Sequence, residues 1–479
     1  MSPYELQLAL PEIVIAVMAC VVLVADLFIS DKRRGLTHSI ALLALVFAGI
    51  VTFRVMLPAG EVVTAFSETF IRDRFGDVMK LFAYLVTFVV FIYAKHFLRM
   101  AGLFKGEFYA LGMFALLGVM IMVSAASMLT VYLGLELLAL SSYALVAMNR
   151  ESTASSEAGM KYFILGSLAS GILLYGMSLI YGATGTLELA AISSQLSVGV
   201  GDSLMLAFGL AFIVVGIAFK LGAVPFHMWL PDVYQGAPAA VTALISSLPK
   251  IGYLALAIRL LQDGMAGLHD DWQAMLVVLA ALSLVLGNIV AIAQTNIKRM
   301  LAYSTISHVG FILLGVLAGT AAGFAAAMFY TIVYAMMSAG AFAVMILLSR
   351  DGIEAENLDD FKGLSRRSPW YALMMLMILF SLAGVPVFVG FFAKWQVIAA
   401  VIDAGFLWLA VLAVITAVIG AFYYLRVVKL MYFDEPERDE PVTAPTDFRA
   451  MLTVNGLAML GLGIFSGGLI GVCVRAFGG

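Results

Sequence analysis

Fourteen runs of about 18 or more mostly apolar residues divide the chain, centred near residues 18, 48, 88, 116, 137, 170, 216, 250, 283, 309, 336, 385, 418 and 463. About 20 apolar residues in a helix cross the hydrocarbon core of a bilayer, so runs of this length and number leave little choice of fold. Within lipid each backbone N–H and C=O must be satisfied by the chain itself, which makes helices of these runs. Composition agrees: 63% of the 479 residues are hydrophobic and 12% are charged, about half the charged share of a soluble domain. A water-facing surface cannot be built from this mixture, which excludes a soluble enzyme. The net charge of −3 also argues against a nucleic-acid partner. The expected class is an all-α polytopic membrane protein.

Met1–Leu10 carries Glu5 and no lysine or arginine, so the first apolar run reads as a helix of the mature protein and not as a secretory signal. The longest polar connections are Ser349–Ser368 and Phe433–Phe448, and neither leaves room for a soluble domain. The second, rich in charge and proline, reads as a flexible loop. Cations gather in odd connections: Lys32, Arg33 and Arg34, then Lys95, Arg99 and Lys105, and later Lys298, Arg299, Lys362 and Arg438. Even connections hold acids such as Glu61, Glu188, Asp202 and Asp271. By the positive-inside rule the odd connections are cytoplasmic and both termini lie outside.

Several charges fall where a bilayer penalises them, by about 2.5–3.5 kcal/mol each at the centre. Glu136 lies in the middle of span five, Lys220 in span seven, Lys250 in the centre of span eight and Lys394 in span twelve. Lys161 opens span six, where snorkelling to the headgroups is a plain alternative. Asp26, Asp403, Arg426 and Lys429 sit at span ends, and Glu12 lies one turn into span one, positions that suit interfacial or packing contacts. Burial disfavours a charged lysine and a neighbouring carboxylate favours it. A buried Glu–Lys pair is therefore a proton holder that charge movement can switch.

His227, seven residues after Lys220, and His308, mid-span among Ser304, Thr305 and Ser307, are candidates to carry a proton between holders. A histidine in an apolar helix is also commonly a packing residue. Pro225 and Pro386 interrupt long spans and free the carbonyls of Leu221 and Leu382, which then need water or a polar partner. Ordinary kinks are the alternative. Two broken spans five apart, each near a lysine, hint at an inverted repeat and a transport site.

The segment FKLGAVPFHMWLPDVYQGAPAAVTALISSLPK (Phe219–Lys250) makes the resemblance specific. It resembles the signature of the antiporter-like subunits of proton-pumping NADH:quinone oxidoreductase, respiratory complex I. LGLELLALSSYAL, EAGMKYFILGSLASGILLYG, QTNIKRMLAYSTISHVG and SLAGVPVFVGFFAKW match in order, so the resemblance covers nearly the whole chain. It is nearest to the branch homologous to mitochondrial NADH dehydrogenase subunit 2. The L subunit has a lateral helix for which this chain is too short, and the M subunit has glutamate where Lys394 stands.

The resemblance implies fourteen transmembrane helices and two inverted five-helix units, residues 106–265 (helices four to eight) and 266–433 (nine to thirteen). Residues 1–105 would form helices one to three, and 434–479 the last loop and helix. Helices seven and twelve would be broken, at Pro225 and Pro386. It implies that Glu136 pairs with Lys220, that Lys250 links two half-channels, and that Lys394 faces the exit. Lys161, His227 and His308 fall at supporting positions. Implied partners are the M subunit on one side and small quinone-proximal subunits on the other, in a bacterial inner membrane with both termini periplasmic.

Cys20 and Cys473 supply no cluster or metal framework. GLGIFSGG (Gly461–Gly468) lies inside a span and lacks the strand–turn–helix setting of a dinucleotide loop. The chain is thus expected to bind no cofactor, with NADH, FMN, iron–sulfur clusters and quinone held by partner subunits. The competing readings are a multisubunit cation/proton antiporter subunit, with the same lysine axis, and a structural scaffold with idle charges.

Overall fold

The computed structural model describes residues 3–199, 203–350, 352–437 and 440–478. Asp202 and Arg438, two of the charges that bear on orientation, lie outside the described residues. In chain order the helices are α1 (Pro3–Leu8), α2 (Leu10–Phe28), α3 (Gly35–Arg54), α4 (Arg74–Met100), α5 (Gly106–Val123), α6 (Met128–Val146), α7 (Thr153–Thr184), α8 (Leu189–Ser197), α9 (Ser203–Leu221) and α10 (Trp229–Gly236). There follow α11 (Ala239–Ala257), α12 (His269–Ile292), α13 (Ile297–Leu317), α14 (Ala321–Leu348), α15 (Leu364–Arg367), α16 (Pro369–Ala383), α17 (Val389–Asp403), α18 (Leu407–Tyr432), α19 (Thr446–Ile464) and α20 (Ser466–Ala476). Between α3 and α4 a short antiparallel hairpin pairs β1 (Val63–Ala65) with β2 (Phe70–Arg72).

Among the described residues twelve helices are long and apolar enough to cross a bilayer, or thirteen if α19 and α20, bent by 80°, make one span. The chain is therefore a membrane-spanning helical bundle. The run near residue 385 is two helices of 15 residues each, α16 and α17, either of which is too short to cross alone. The run near 216 is also interrupted, since α9 stops at Leu221 and α10 starts at Trp229. Some helix starts carry polar caps. The side chains of Asp73, Ser152, Asn296 and Thr320 accept from backbone N–H groups that would otherwise be orphaned.

Burial separates centre from periphery. The most apolar stretch of α11 is 100% buried and those of α13 and α14 are 94% buried, against 28% for α2 and 39% for α7 and α18. The helices that carry Lys250 and His308 are thus the core, while the peripheral ones show Leu133, Phe163 and Val418 outward, as lipid contact requires. Small residues set the closest approaches. A Cβ on Gly118 of α5 would lie 2.6 Å from the Gly134 carbonyl oxygen, and one on Gly134 of α6 would lie 2.8 Å from that of Gly118. Only glycine lets the two backbones touch there.

The connection after α18 is not the free loop its composition suggests. Glu440 pairs with Arg350 (2.6 Å) and Glu437 with Lys362 (2.9 Å), and the Val442 N–H donates to Ser368 Oγ (2.9 Å). The two longest polar connections strap each other across 74 to 90 residues of sequence. The Gly461–Gly468 run ends α19 and turns into α20. Gly463 lies so close to the Val387 carbonyl that no side chain fits, which makes the run a packing element against the α16–α17 break.

Candidate functional site

Lys220 is the penultimate residue of α9 and is 3% exposed. Its ammonium donates to Ser170 Oγ of α7 at 2.7 Å. Glu136, on α6, is the charged group whose field reaches Lys220, yet no ion pair within 4 Å joins them among the described residues. One carboxylate oxygen of Glu136 is buried without a hydrogen-bond partner. Ser170 therefore holds the lysine while the carboxylate stands off from it. Ser170 lies inside the apolar run of α7, where nothing in the sequence pointed across to α9.

The helix ends just after Lys220, and Gly222 adopts the left-handed conformation at φ +82°. Pro225 follows and leaves the Leu221 carbonyl without its helical donor. That carbonyl accepts from Lys250 Nζ of α11 at 2.7 Å. The polar partner expected for the freed group is a lysine of α11. His227 sits in the turn between α9 and α10, so it does not share a helix face with Lys220 as a spacing of seven suggests; the chain has already left the helix. Its Nδ1 is buried and unpartnered, and its ring centroid lies 6.4 Å from that of Tyr303 on α13.

The second break repeats this plan. The helix α16 ends at Ala383, and Gly384 is left-handed at φ +84°. Val387 is also left-handed, at φ +79°, an uncommon state for a β-branched residue. Lys394 of α17 bends back so that Nζ donates to the carbonyls of Ala383 (2.8 Å) and Leu382 (3.1 Å). The Leu382 carbonyl is the one that Pro386 frees. The same ammonium lies 5.2 Å from the Phe311 ring centroid. At both breaks, then, a lysine caps the carbonyl end of a half-helix, where the helix dipole favours a cation.

His308 of α13 lies between these breaks in a web of hydroxyls. Nδ1 meets the Tyr330 hydroxyl at 2.7 Å and Nε2 meets that of Tyr424 at 3.1 Å. The Tyr424 hydroxyl is also bonded to Ser304 Oγ. Lys394 acts electrostatically on this histidine. Sequence reading found the histidine and its serine and threonine neighbours but not the tyrosines, which arrive from α14 and α18.

Lys161 stands apart. Its side chain is 44% exposed and pairs with Glu157 and Asp232, each at 2.9 Å. It lines an open polar cavity of about 570 Å³ with Asp232, Lys298, Glu354 and Glu356. Lys298, 1% exposed, is paired with Glu354 and with Glu356 (3.1 Å) and donates to the carbonyls of Gln235 (3.0 Å) and Ala237 (2.9 Å). A further buried pair is Lys80 with Glu12, at 2.6 Å between α4 and α2. The sequence reading missed Lys80 and took Lys298 only as a cation that sets the orientation. Lys80 hides in the apolar run of span three, and Lys298 has the sequence setting of an ordinary loop cation.

Chemically the site offers four titratable groups at membrane depth, two of them on half-helix ends, with hydroxyl and imidazole groups between. Among the described residues no three His, Cys, Asp or Glu side chains are grouped to hold a metal ion. Cys20 and Cys473 are free thiols, one exposed and one buried.

Residues 125–420 match the family described as NADH:quinone oxidoreductase/Mrp antiporter, TM. NADH-quinone oxidoreductase subunit N of Thioalkalivibrio sulfidiphilus is 55% identical over 468 residues, covering 98% of this chain and 97% of that protein. Subunit N of Acidithiobacillus ferrooxidans is 56% identical over 472 residues, covering 98% of each. A chain of respiratory complex I from Thermus thermophilus, solved with bound aureothin, superposes with a TM-score of 0.81 at 31% identity, covering 96% of this chain and 98% of that one. A chain of the Mrp complex from Dietzia sp. DQ12-45-1b gives a TM-score of 0.83 at 22% identity, covering 100% and 97%, a likeness of fold. The chain belongs to the NADH:quinone oxidoreductase/Mrp antiporter family of membrane subunits, in the subunit N branch of NADH-quinone oxidoreductase.

Proposed function

We propose that this subunit moves protons across the membrane in response to electron transfer from NADH to quinone carried out in other subunits. The observation that carries the reading is the repeated capping of a broken half-helix by a buried lysine, Lys250 on Leu221 and Lys394 on Leu382 and Ala383. A helix C-terminus stabilises the ammonium form, and burial opposes it. Small changes at either break therefore switch the lysine between holding and releasing a proton. Glu136, poised near Lys220 but not bonded to it, supplies the movable charge. Protons pass from the Glu136–Lys220 pair to Lys250, on through His308, and leave by Lys394. Lys161 and His227 serve uptake, Lys161 from the open cavity it lines.

In this reading α16 and α17 form one broken span, which brings the count to fourteen. Residues 106–265 and 266–433 are the two inverted repeats. The termini are periplasmic, and the strapped connections are cytoplasmic. The M subunit and the small quinone-proximal subunits are the neighbours. NADH, FMN, iron–sulfur clusters and quinone are bound by partners, and this chain takes part in no redox step. The test is to reconstitute the whole complex carrying Lys394→Ala in vesicles and follow NADH-driven proton uptake beside NADH oxidation by an artificial acceptor. Uptake should fail while acceptor reduction persists. Wild-type uptake, or sodium exchange without NADH, would reject the reading.

A further inference from the structure

His308 is bonded by a hydroxyl at each ring nitrogen, and the chain does not stop there. From one side it runs Ser304 Oγ, Tyr424 Oη, His308 Nε2, and from the other it continues from Nδ1 to Tyr330 Oη. All four side chains are at most 4% exposed, and they come from three helices, α13, α14 and α18. The ring of Tyr330 stacks on Phe311, with centroids 5.7 Å apart and planes at 11°. Phe311 also carries the Lys394 ammonium, 5.2 Å from its centroid. The Tyr330 end of the chain is thus the Lys394 end. Ser304 and His308 are one helical turn apart, and Ser304 lies nearer the start of α13.

A neutral imidazole has one donor and one acceptor nitrogen. If Nδ1 carries the hydrogen, it donates to Tyr330, and Nε2 accepts from Tyr424, which accepts from Ser304. The other tautomer reverses every bond. The two arrangements are the start and end states of a proton wire. We propose that Tyr424 and Tyr330 are proton-relay residues, which with Ser304 and His308 deliver protons to the Lys394 end of the molecule.

In one passage Ser304 receives a proton and gives its own to Tyr424 Oη, and the Tyr424 hydroxyl proton moves to Nε2. The Nδ1–H proton then passes to Tyr330 Oη, which releases its own. One O–H or N–H bond forms and one breaks at each member, no residue keeps a charge, and the imidazole is left in its other tautomer. Rotation of the ring and hydroxyls resets the wire. The inference rests on the proton-moving function proposed above and names side chains that function did not include. Tyr423 packs on the wire from the flank, its ring centroid 4.3 Å from that of Tyr424, while its hydroxyl donates away from the wire to Asn288 Oδ1 (3.1 Å).

The experiment uses the whole complex in vesicles. Tyr330→Phe and Tyr424→Phe each remove one oxygen and keep the ring. Each should lower NADH-driven proton uptake and the coupled quinone reduction by about a hundredfold or more, the usual scale for losing a positioned proton-transfer group. NADH oxidation by an artificial acceptor should not change. Tyr334→Phe is the control, because that buried hydroxyl bonds Thr305 (2.7 Å) and lies outside the wire; it should pump like wild type. Ser304→Ala should lower uptake and Ser304→Thr restore it, a pair that also decides the matter if the tyrosine variants fail to assemble. Wild-type uptake in both tyrosine variants, or in Ser304→Ala when they fail to assemble, overturns the relay if Lys394→Ala is blocked. If Lys394→Ala also pumps normally, the proton-moving function itself is wrong.

Discussion

Replacing Lys250 separates two things that its ammonium does. It satisfies the Leu221 carbonyl at 2.7 Å, and in the proposed mechanism it takes up and releases a proton. In Lys250→Met the carbonyl is left buried and unpaired, at a cost of about 1–3 kcal/mol. Against that stands the relief of no longer burying an ammonium that is 1% exposed and has no carboxylate within 4 Å among the described residues. The two effects oppose each other, so assembly should be largely kept while pumping is lost. Lys250→Arg keeps a donor for the carbonyl but adds bulk in a fully buried helix, which costs about 1–3 kcal/mol, and arginine does not deprotonate near neutral pH. It should assemble and fail to pump. Native gels report assembly, and proton uptake by reconstituted vesicles reports pumping, with artificial-acceptor reduction as the control for the electron-input arm. Full pumping by an assembled Lys250→Arg complex would refute the reasoning, because capping the carbonyl would then be all that Lys250 does.

Three further outcomes are expected. Gly384→Ala forces a left-handed backbone on a side chain, about 1–2 kcal/mol, and its Cβ would lie 2.9 Å from Lys394 Cδ; the thermal midpoint of the purified complex should fall and proton uptake with it. Glu136→Gln breaks no hydrogen bond at the unpartnered carboxylate oxygen, so assembly should be normal on native gels while uptake drops. A single cysteine placed in the Phe433–Phe448 connection, with Cys20 and Cys473 replaced, should react with a membrane-impermeant thiol reagent only from the cytoplasmic face. Reaction in intact cells would invert the topology.

Much of this molecule was legible because lipid allows so few backbone solutions. Apolar length marked the spans, and the lysines and prolines stood out because each breaks the rule of an apolar helix interior. The freed Leu221 and Leu382 carbonyls followed from proline chemistry alone, although which lysine reaches each one depends on how helices cross. Contacts between helices were not legible. Ser170, Tyr330 and Tyr424 are ordinary residues in their own helices and acquire meaning only from what faces them. Lys80 hid in an apolar run and its partner Glu12 resembled a packing contact, since a buried ion pair leaves no periodic trace. The strap between the two polar connections failed for a related reason. Composition rich in charge and proline describes a segment by itself, whereas Glu437 and Glu440 are held by cations from another segment.

The central claim is that buried lysines at broken helices carry protons, and Lys220 tests it most directly. Its ammonium is bonded to Ser170, and the account has it bind and release the proton under the field of Glu136. The measurement is NADH-driven proton uptake by vesicles holding a fully assembled Lys220→Ala complex, normalised to NADH oxidation by an artificial acceptor. The account predicts that uptake collapses while acceptor reduction is unchanged; uptake at the wild-type ratio would contradict it.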